Sequence, residues 1–124
     1  MTDISRSPQH APDYALHRDV DAADGVGAIT DGMQGINMTG YEYAHIQILP
    51  AGGANPTVQV QWWSAEGGKF IQEHTAISKA GVGANTPFEF TVECRGRIMF
   101  VKVTTLAAGT CKVLVSGFGL FTTT

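Results

Sequence analysis

The chain has 124 residues, a length that suits one domain, and its 15 glycines with only 15% charged residues are typical of a turn-rich β protein. The formal net charge is −3 and the eight Lys and Arg residues are scattered, which argues against a surface that neutralises nucleic-acid phosphates. The chain has no apolar run long enough to span a membrane, and its N-terminus lacks the basic and apolar segments of a secretory signal.

The N-terminal part of the chain shows little periodicity. Residues 1–14 contain two prolines and are predicted to form an extended arm, either disordered or ordered only against a partner. Residues 15–20 are predicted to form a short strand, and residues 21–35 a glycine-rich loop with a brief strand at Val26–Ile29. The expected organisation is therefore an arm followed by one β domain over residues 15–124.

Two segments in the middle of the chain alternate between apolar and polar residues. The period of two in Tyr43–Leu49 and in Thr57–Trp63 is the pattern of half-buried strands. A hairpin centred near Gly53 would place Ile48 opposite Val58 and keep every apolar residue of both strands on one face. The pattern therefore predicts that these two strands pair with each other.

The C-terminal third repeats this pattern. Phe88–Val92 alternates, and Arg95-Gly96 is predicted to form a two-residue turn in which glycine supplies the positive φ. The Arg95-Gly96 turn would place Val103 opposite Phe88 on one side. A second connection, at residues 106–110, would place Val113 opposite Val103 on the other side. A three-stranded meander with one continuous apolar face is the expected result.

The strand count predicts an all-β fold, an antiparallel sandwich of two sheets. About eight strands in a chain of this length suit such a sandwich, and a jelly roll is favoured because the chain lacks the Cys–Trp–Cys spacing of immunoglobulin domains. The predicted strands are Leu16–Val20, Ile36–Gly40, Tyr43–Leu49, Thr57–Trp63, Lys69–His74, Thr86–Cys94, Arg97–Thr105 and Lys112–Leu120.

The two cysteines are expected to be reduced. In the meander, Cys94 and Cys111 would share the inner face on its first and third strands, about 10 Å apart. A disulfide needs Cα atoms within about 7 Å. A disulfide remains the alternative if curvature of the sheet brings the strand ends together.

No residue pattern indicates catalysis, a cofactor or a metal. The serines do not occupy a Gly-x-Ser-x-Gly turn, and the glycine clusters precede no helix that could bind phosphate. The aspartates of the glycine-rich loop fit no calcium-loop motif. An enzyme on a cupin-like barrel would need a metal cluster, which four scattered histidines do not supply. The histidines are His10, His17, His45 and His74.

Adjacent tryptophans suggest a ligand platform. Because neighbouring residues of a strand point to opposite faces, one of Trp62 and Trp63 can fill the core while the other lies on the outer face beside Tyr43. Exposed aromatic rings among polar side chains suit sugar stacking or an interface anchor. The predicted platform, which would serve a carbohydrate-binding module or adhesin, is Tyr43, His45, Gln59, Gln61 and Trp63.

The outer face of the predicted meander carries four large apolar residues. A solvated sheet face is usually polar, so we expect these residues to be covered. The chain itself, through its arm or its second sheet, could cover them, as could a neighbouring subunit or another partner. A neighbouring subunit would make the protein a homo-oligomer. The residues are Ile98, Phe100, Leu114 and Phe118.

The run YEYAHIQILPAGGANPTVQVQWWSAEGGKFI, which ends at Ile71, resembles small jelly-roll structural proteins of tailed bacteriophages, including the cement or decoration proteins that clamp capsid subunits. The resemblance covers about residues 36–124 and lies in glycine-rich turns and an acidic β domain behind an arm. It implies a non-enzymatic virion protein, made in the host cytoplasm, that contacts the major capsid protein or another virion protein. It also implies assembly as a homo-oligomer, often a trimer, with the arm reaching over neighbours.

Overall fold

The structure is a computed structural model, and it describes residues 35–106 and 108–121 together with the backbone of residues 15–21. These residues form nine strands and no helix, so no described helix could cross a membrane. The predicted arm and the strand at Val26–Ile29 lie outside the described residues. The strands are β1 (Ala15–Asp21), β2 (Ile36–Asn37), β3 (Tyr41–Ala51), β4 (Thr57–Ser64), β5 (Lys69–Ile71), β6 (Ile77–Lys79), β7 (Phe88–Glu93), β8 (Ile98–Thr105) and β9 (Thr110–Leu120).

The strands form the two antiparallel sheets of a jelly roll. Sheet A has the order β1-β9-β3-β7, and sheet B has the order β2-β8-β4-β5, with β6 also on β4. This interleaved order is that of a double Greek key, so the predicted all-β sandwich and its jelly-roll topology are confirmed. Each of the eight predicted strands is present.

Strand β6 was not predicted from the sequence. Both β5 and β6 pair with β4, at Trp62–Ser64 and at Val58–Val60 respectively. They therefore form one edge strand, interrupted by residues 72–76. With a single large apolar residue, Ile77, the β6 segment is too short to show a period of two.

The predicted hairpin between β3 and β4 is wrong. Ile48 lies opposite Phe88 on β7 and Val113 on β9, whereas Val58 lies opposite Val103 on β8. Strands β3 and β4 thus belong to different sheets. The two sheets turn their apolar faces towards the same core, so strands that face each other across the sandwich satisfy the odd–even pattern as well as strands that pair within one sheet.

The predicted C-terminal meander is wrong for the same reason. The Arg95-Gly96 turn is present, with φ of 51° at Arg95 and 70° at Gly96, and the Arg97 N–H donates to the Cys94 carbonyl at 3.0 Å. Beyond the turn, however, β7 stays in sheet A and β8 enters sheet B. Val103 of β8 therefore pairs with neither Phe88 nor any residue of β9.

The core lies between the inner faces of the two sheets, and among the described residues it contains no buried polar side chain. Every residue predicted to point inwards on β3 and β4 is buried. At one end of the core, Gly117 allows the Tyr41 ring to approach β9, because a Cβ there would lie 2.5 Å from Tyr41 Cγ. The central residues are Ile46, Ile48, Val58, Val60, Val101, Val103, Val113 and Val115.

Both cysteines are buried thiols, and no disulfide joins them. The Cys94 N–H donates to the carbonyl of Glu42, near the start of β3, whereas Cys111 lies opposite Pro50, near its end. Eight positions along a strand separate these points, roughly 26 Å. The expected reduced state is confirmed, and the two thiols are much farther apart than the meander implied.

Candidate binding surfaces

The four apolar residues predicted to share one face lie on opposite sides of the sandwich. Ile98 and Phe100 are on the outer face of sheet B, and Leu114 and Phe118 are on the outer face of sheet A. The predicted pairing of Ile98 with Phe118 is wrong, since these residues belong to different sheets. They cannot form a single contact surface.

Phe100 belongs to a small second core on sheet B. It is only 2% exposed, and its ring centroid lies 5.4 Å from that of Phe70, which in turn makes an edge contact with Trp63 at 5.1 Å. Ile98 packs against this cluster, and the backbone at Gly35 crosses it so closely that a Cβ there would lie 2.6 Å from Ile98 Cγ2. Phe100 is therefore covered by other residues of the same chain.

The predicted ligand platform is likewise divided. Tyr43 and His45 lie on β3 in sheet A, and the other three residues lie on β4 in sheet B. Trp62 is the core tryptophan, at 5% exposure, while Trp63 packs against the second core. The five residues do not form one site.

The structure instead assembles a different surface, which we name the A face. It consists of the outward side chains of β9, β3 and β7, aligned in three cross-strand rows. From β9 through β3 to β7 the rows are Phe118, Tyr43 and Glu93; then Ser116, His45 and Thr91; then Leu114, Gln47 and Glu89.

One end of the A face is aromatic and its centre is polar. Tyr43 stacks on Phe118 with 5.2 Å between ring centroids and 22° between the planes, and remains 37% exposed. His45 Nε2 lies 2.9 Å from Glu89 Oε1, which also accepts a hydrogen bond from Gln47 Nε2 at 3.3 Å. These bonds, first from Gln47 and then from His45, lower the pKa of Glu89.

Two shallow depressions flank Gln47 on the A face. One has a volume of about 160 Å³ and the other about 230 Å³. Both are partly polar, which suits reversible contact with a polar ligand or the rim of a protein interface. The first is lined by Gln47, Leu114, Val115 and Ser116, and the second by Gln47, Leu49, Pro87, Phe88 and Glu89.

A second surface, which we name the edge cleft, lies at one open side of the sandwich. The last strand of sheet A, β7, faces the interrupted edge strand of sheet B across a cleft of about 520 Å³. No local motif in the sequence marks this cleft, since its residues come from two separate segments, 73–79 and 91–97. Its lining residues are Glu73, Ile77, Lys79, Thr91, Val92, Glu93, Arg95 and Arg97.

Arg97 is held in place in the edge cleft. Its guanidinium carbon lies 3.8 Å from the ring centroid of Trp62. Its Nε donates to the Cys94 carbonyl at 2.9 Å, and its Nη2 donates to the Glu93 carbonyl at 3.1 Å. Glu73 completes the group: its Oε2 accepts the Trp62 indole N–H at 3.0 Å and lies 3.9 Å from Arg97 Nη2.

Neither surface carries a metal-ligand cluster: in the part of the chain that the structure describes, no three His, Cys, Asp or Glu side chains could hold an ion. Burial raises the pKa of the Cys94 thiol, which donates to the Tyr41 carbonyl at 3.3 Å. A thiol in this environment is a poor nucleophile at neutral pH.

No family model, curated protein or solved structure matches the chain. Its function must therefore be argued from its own surfaces. The A face offers aromatic and amide groups on the outer side of sheet A, and the edge cleft offers cationic groups beside β7, whose outer edge is unpaired among the described residues.

Proposed function

We propose that the chain is a non-enzymatic structural protein of a virion, a capsid cement or decoration protein that reinforces the head through subunit contacts. The observation that carries the proposal is the A face, a surface of three strands with the Tyr43–Phe118 stack and Leu114 beside a polar centre. The jelly-roll topology supports it, because this architecture recurs in viral structural domains.

The A face has the composition of a protein contact rather than of an ordinary solvated sheet. Tyr43 is 37% exposed, and Phe118 and Leu114 are partly exposed. Each 100 Å² of apolar area removed from water contributes on the order of 2.5 kcal/mol before association costs. The row of His45, Thr91 and Ser116 lies between the aromatic end and Leu114, and it can orient the partner through hydrogen bonds.

The test is co-assembly with the major capsid protein encoded nearest to this chain's gene. Empty shells are sedimented with the purified chain, and we expect the chain to bind stoichiometrically and to raise the melting temperature of the shells. Phe118→Asp should abolish binding while the chain keeps its β-type circular dichroism spectrum. Ser78→Asp adds the same charge at an exposed position of sheet B and is the matched control.

Two results would contradict the virion role. One is a wild-type chain that stays in the supernatant. The other is equal loss of binding in both Asp variants, which would show that the A face is not the contact.

A carbohydrate-binding role is the second candidate, and the A face also favours it. An exposed Tyr43 ring and the two depressions on either side of Gln47 could hold a sugar by stacking and amide hydrogen bonds. The test is a glycan array followed by calorimetry on Tyr43→Ala and Tyr43→Phe. Binding should be lost in the first and largely kept in the second. Tryptophan quenching would not report on this site, since Trp62 and Trp63 belong to sheet B.

A further inference from the structure

One wall of the edge cleft is β7, the last described strand of sheet A. Within the described residues, β7 pairs with β3 alone, and Thr91, Val92 and Glu93 line the cleft. The unpaired side of an edge strand presents backbone N–H and C=O groups that another strand can use. Across the cleft, Ile77 and Lys79 of β6 form the opposite wall.

Cationic charge is concentrated at this edge. Three of the eight Lys and Arg residues of the chain, Lys79, Arg95 and Arg97, line the edge cleft, although the chain as a whole has a net charge of −3. The cleft also contains two carboxylates, of which Glu73 already contacts Trp62 and Arg97. The edge cleft therefore has a surplus of positive charge in an acidic protein.

Lys79 is on β6, whereas Arg95 and Arg97 are in the turn between β7 and β8. Lys79 Nζ lies 5.8 Å from the ring centroid of Phe90, which belongs to the other sheet, and Arg97 is fixed against Trp62. Arg95 adopts the left-handed conformation, with φ of 51°, at a turn position where Asn or Gly is the usual residue. A long cationic side chain is thus kept beside the cleft despite an unfavourable backbone conformation.

We propose that the edge cleft binds an extended acidic peptide segment of a partner protein, which adds to β7 as a further strand and directs its carboxylates towards Lys79, Arg95 and Arg97. Strand addition supplies backbone hydrogen bonds, and the cations select for acidic side chains. The inference goes beyond the virion role, because it concerns the partner's chemistry and a cleft that shares only Thr91 and Glu93 with the A face.

A second copy of β7 is a poor occupant of the same edge. Antiparallel self-pairing centred on Thr91 would place Glu89 of one copy opposite Glu93 of the other. Like charges directly opposite each other destabilise a sheet. The charge pattern therefore favours a foreign strand over a symmetric dimer.

The experiment is isothermal titration calorimetry of the full chain with a short capped peptide in which Asp alternates with Thr. We expect a dissociation constant below about 1 mM that weakens as salt is added. The same peptide with Asn in place of Asp should bind at least about tenfold more weakly, a difference of about 1.4 kcal/mol. A version with methylated backbone nitrogens should not bind, because it cannot pair with a strand edge.

Variants of the chain locate the site. Lys79→Ser and Arg95→Ser should each weaken the acidic peptide several-fold, while Lys112→Ser, which removes an exposed cation from β9 outside the edge cleft, should leave its affinity unchanged. The absence of binding by the acidic peptide, or equal binding of the Asn peptide, would overturn the proposal. Equal binding of the methylated peptide, or displacement by inorganic phosphate at similar affinity, would show a small-anion site and overturn strand addition.

Discussion

Replacing Phe100 by Ala should strongly destabilise the folded chain. The side chain is 2% exposed and packs against Phe70, so the substitution loses the full free energy of transfer from water and leaves a cavity. Burial of a Phe side chain is worth about 1.5–3 kcal/mol, and the cavity raises the expected loss to about 3–5 kcal/mol. Since whole domains are stable by only about 5–15 kcal/mol, this loss is a large share of the total.

The assay is urea unfolding followed by tryptophan fluorescence, with the midpoint and slope fitted to a two-state transition. Phe118→Ala makes the same chemical change at a half-buried position on the A face, where the ring stacks on Tyr43, and should cost about 1–2 kcal/mol. If Phe100→Ala cost less than about 1 kcal/mol, or no more than Phe118→Ala, the reasoning would be refuted. Such a result would mean that Phe100 is exposed in the free chain, as a residue that contacts a neighbouring subunit would be.

Three further outcomes follow from the turn, the A face and the thiols. Arg95→Asn should raise the urea midpoint by an amount equivalent to about 0.5–1 kcal/mol, because Asn tolerates the left-handed conformation better; a lower midpoint would show that Arg95 makes a stabilising contact. The fold lowers the pKa of Glu89, so its contribution to stability is present above the ordinary glutamate pKa and is lost as pH falls through the lowered value. Urea midpoints measured from neutral pH down to about pH 3 should therefore fall less steeply for Glu89→Gln than for the wild type, and parallel curves would contradict the Glu89 network. Cys94 and Cys111 should react with a thiol reagent only after urea unfolding, and rapid labelling of the native chain would contradict their burial.

The sequence predicts to which side of its sheet each side chain points, because this direction depends on local backbone geometry. In an extended backbone successive side chains point to opposite sides, so the burial of Ile46 and the exposure of Gln47 follow from their positions alone. The same argument oriented Val58 and Val60 correctly, but it left open which tryptophan fills the core, and the structure shows that it is Trp62. It also gave the outward direction of Phe100 on β8, but it could not show that Phe70 from a different strand covers this residue.

The alternation of apolar and polar residues did not predict which strands pair with each other. Odd–even alternation is the same for two strands that are hydrogen-bonded neighbours and for two strands that face each other across a core. Ile48 and Val58 satisfied the test for a hairpin although they lie in opposite sheets. For the same reason the sequence could not show which outward residues share a surface.

By itself, the sequence determined the extended segments and the inward faces of β3, β4, β7, β8 and β9. The cysteines are reduced as expected, but for a different reason, since the tertiary structure places them at opposite ends of β3. The tertiary structure decided which strands are neighbours, and with them both binding surfaces. Tyr43 meets Phe118 only because β3 pairs with β9, and Arg97 meets Trp62 and Glu73 only because the Arg95-Gly96 turn sends the chain from one sheet to the other. Alternation depends on each residue's own backbone, whereas a surface depends on contacts between residues that are distant in the chain.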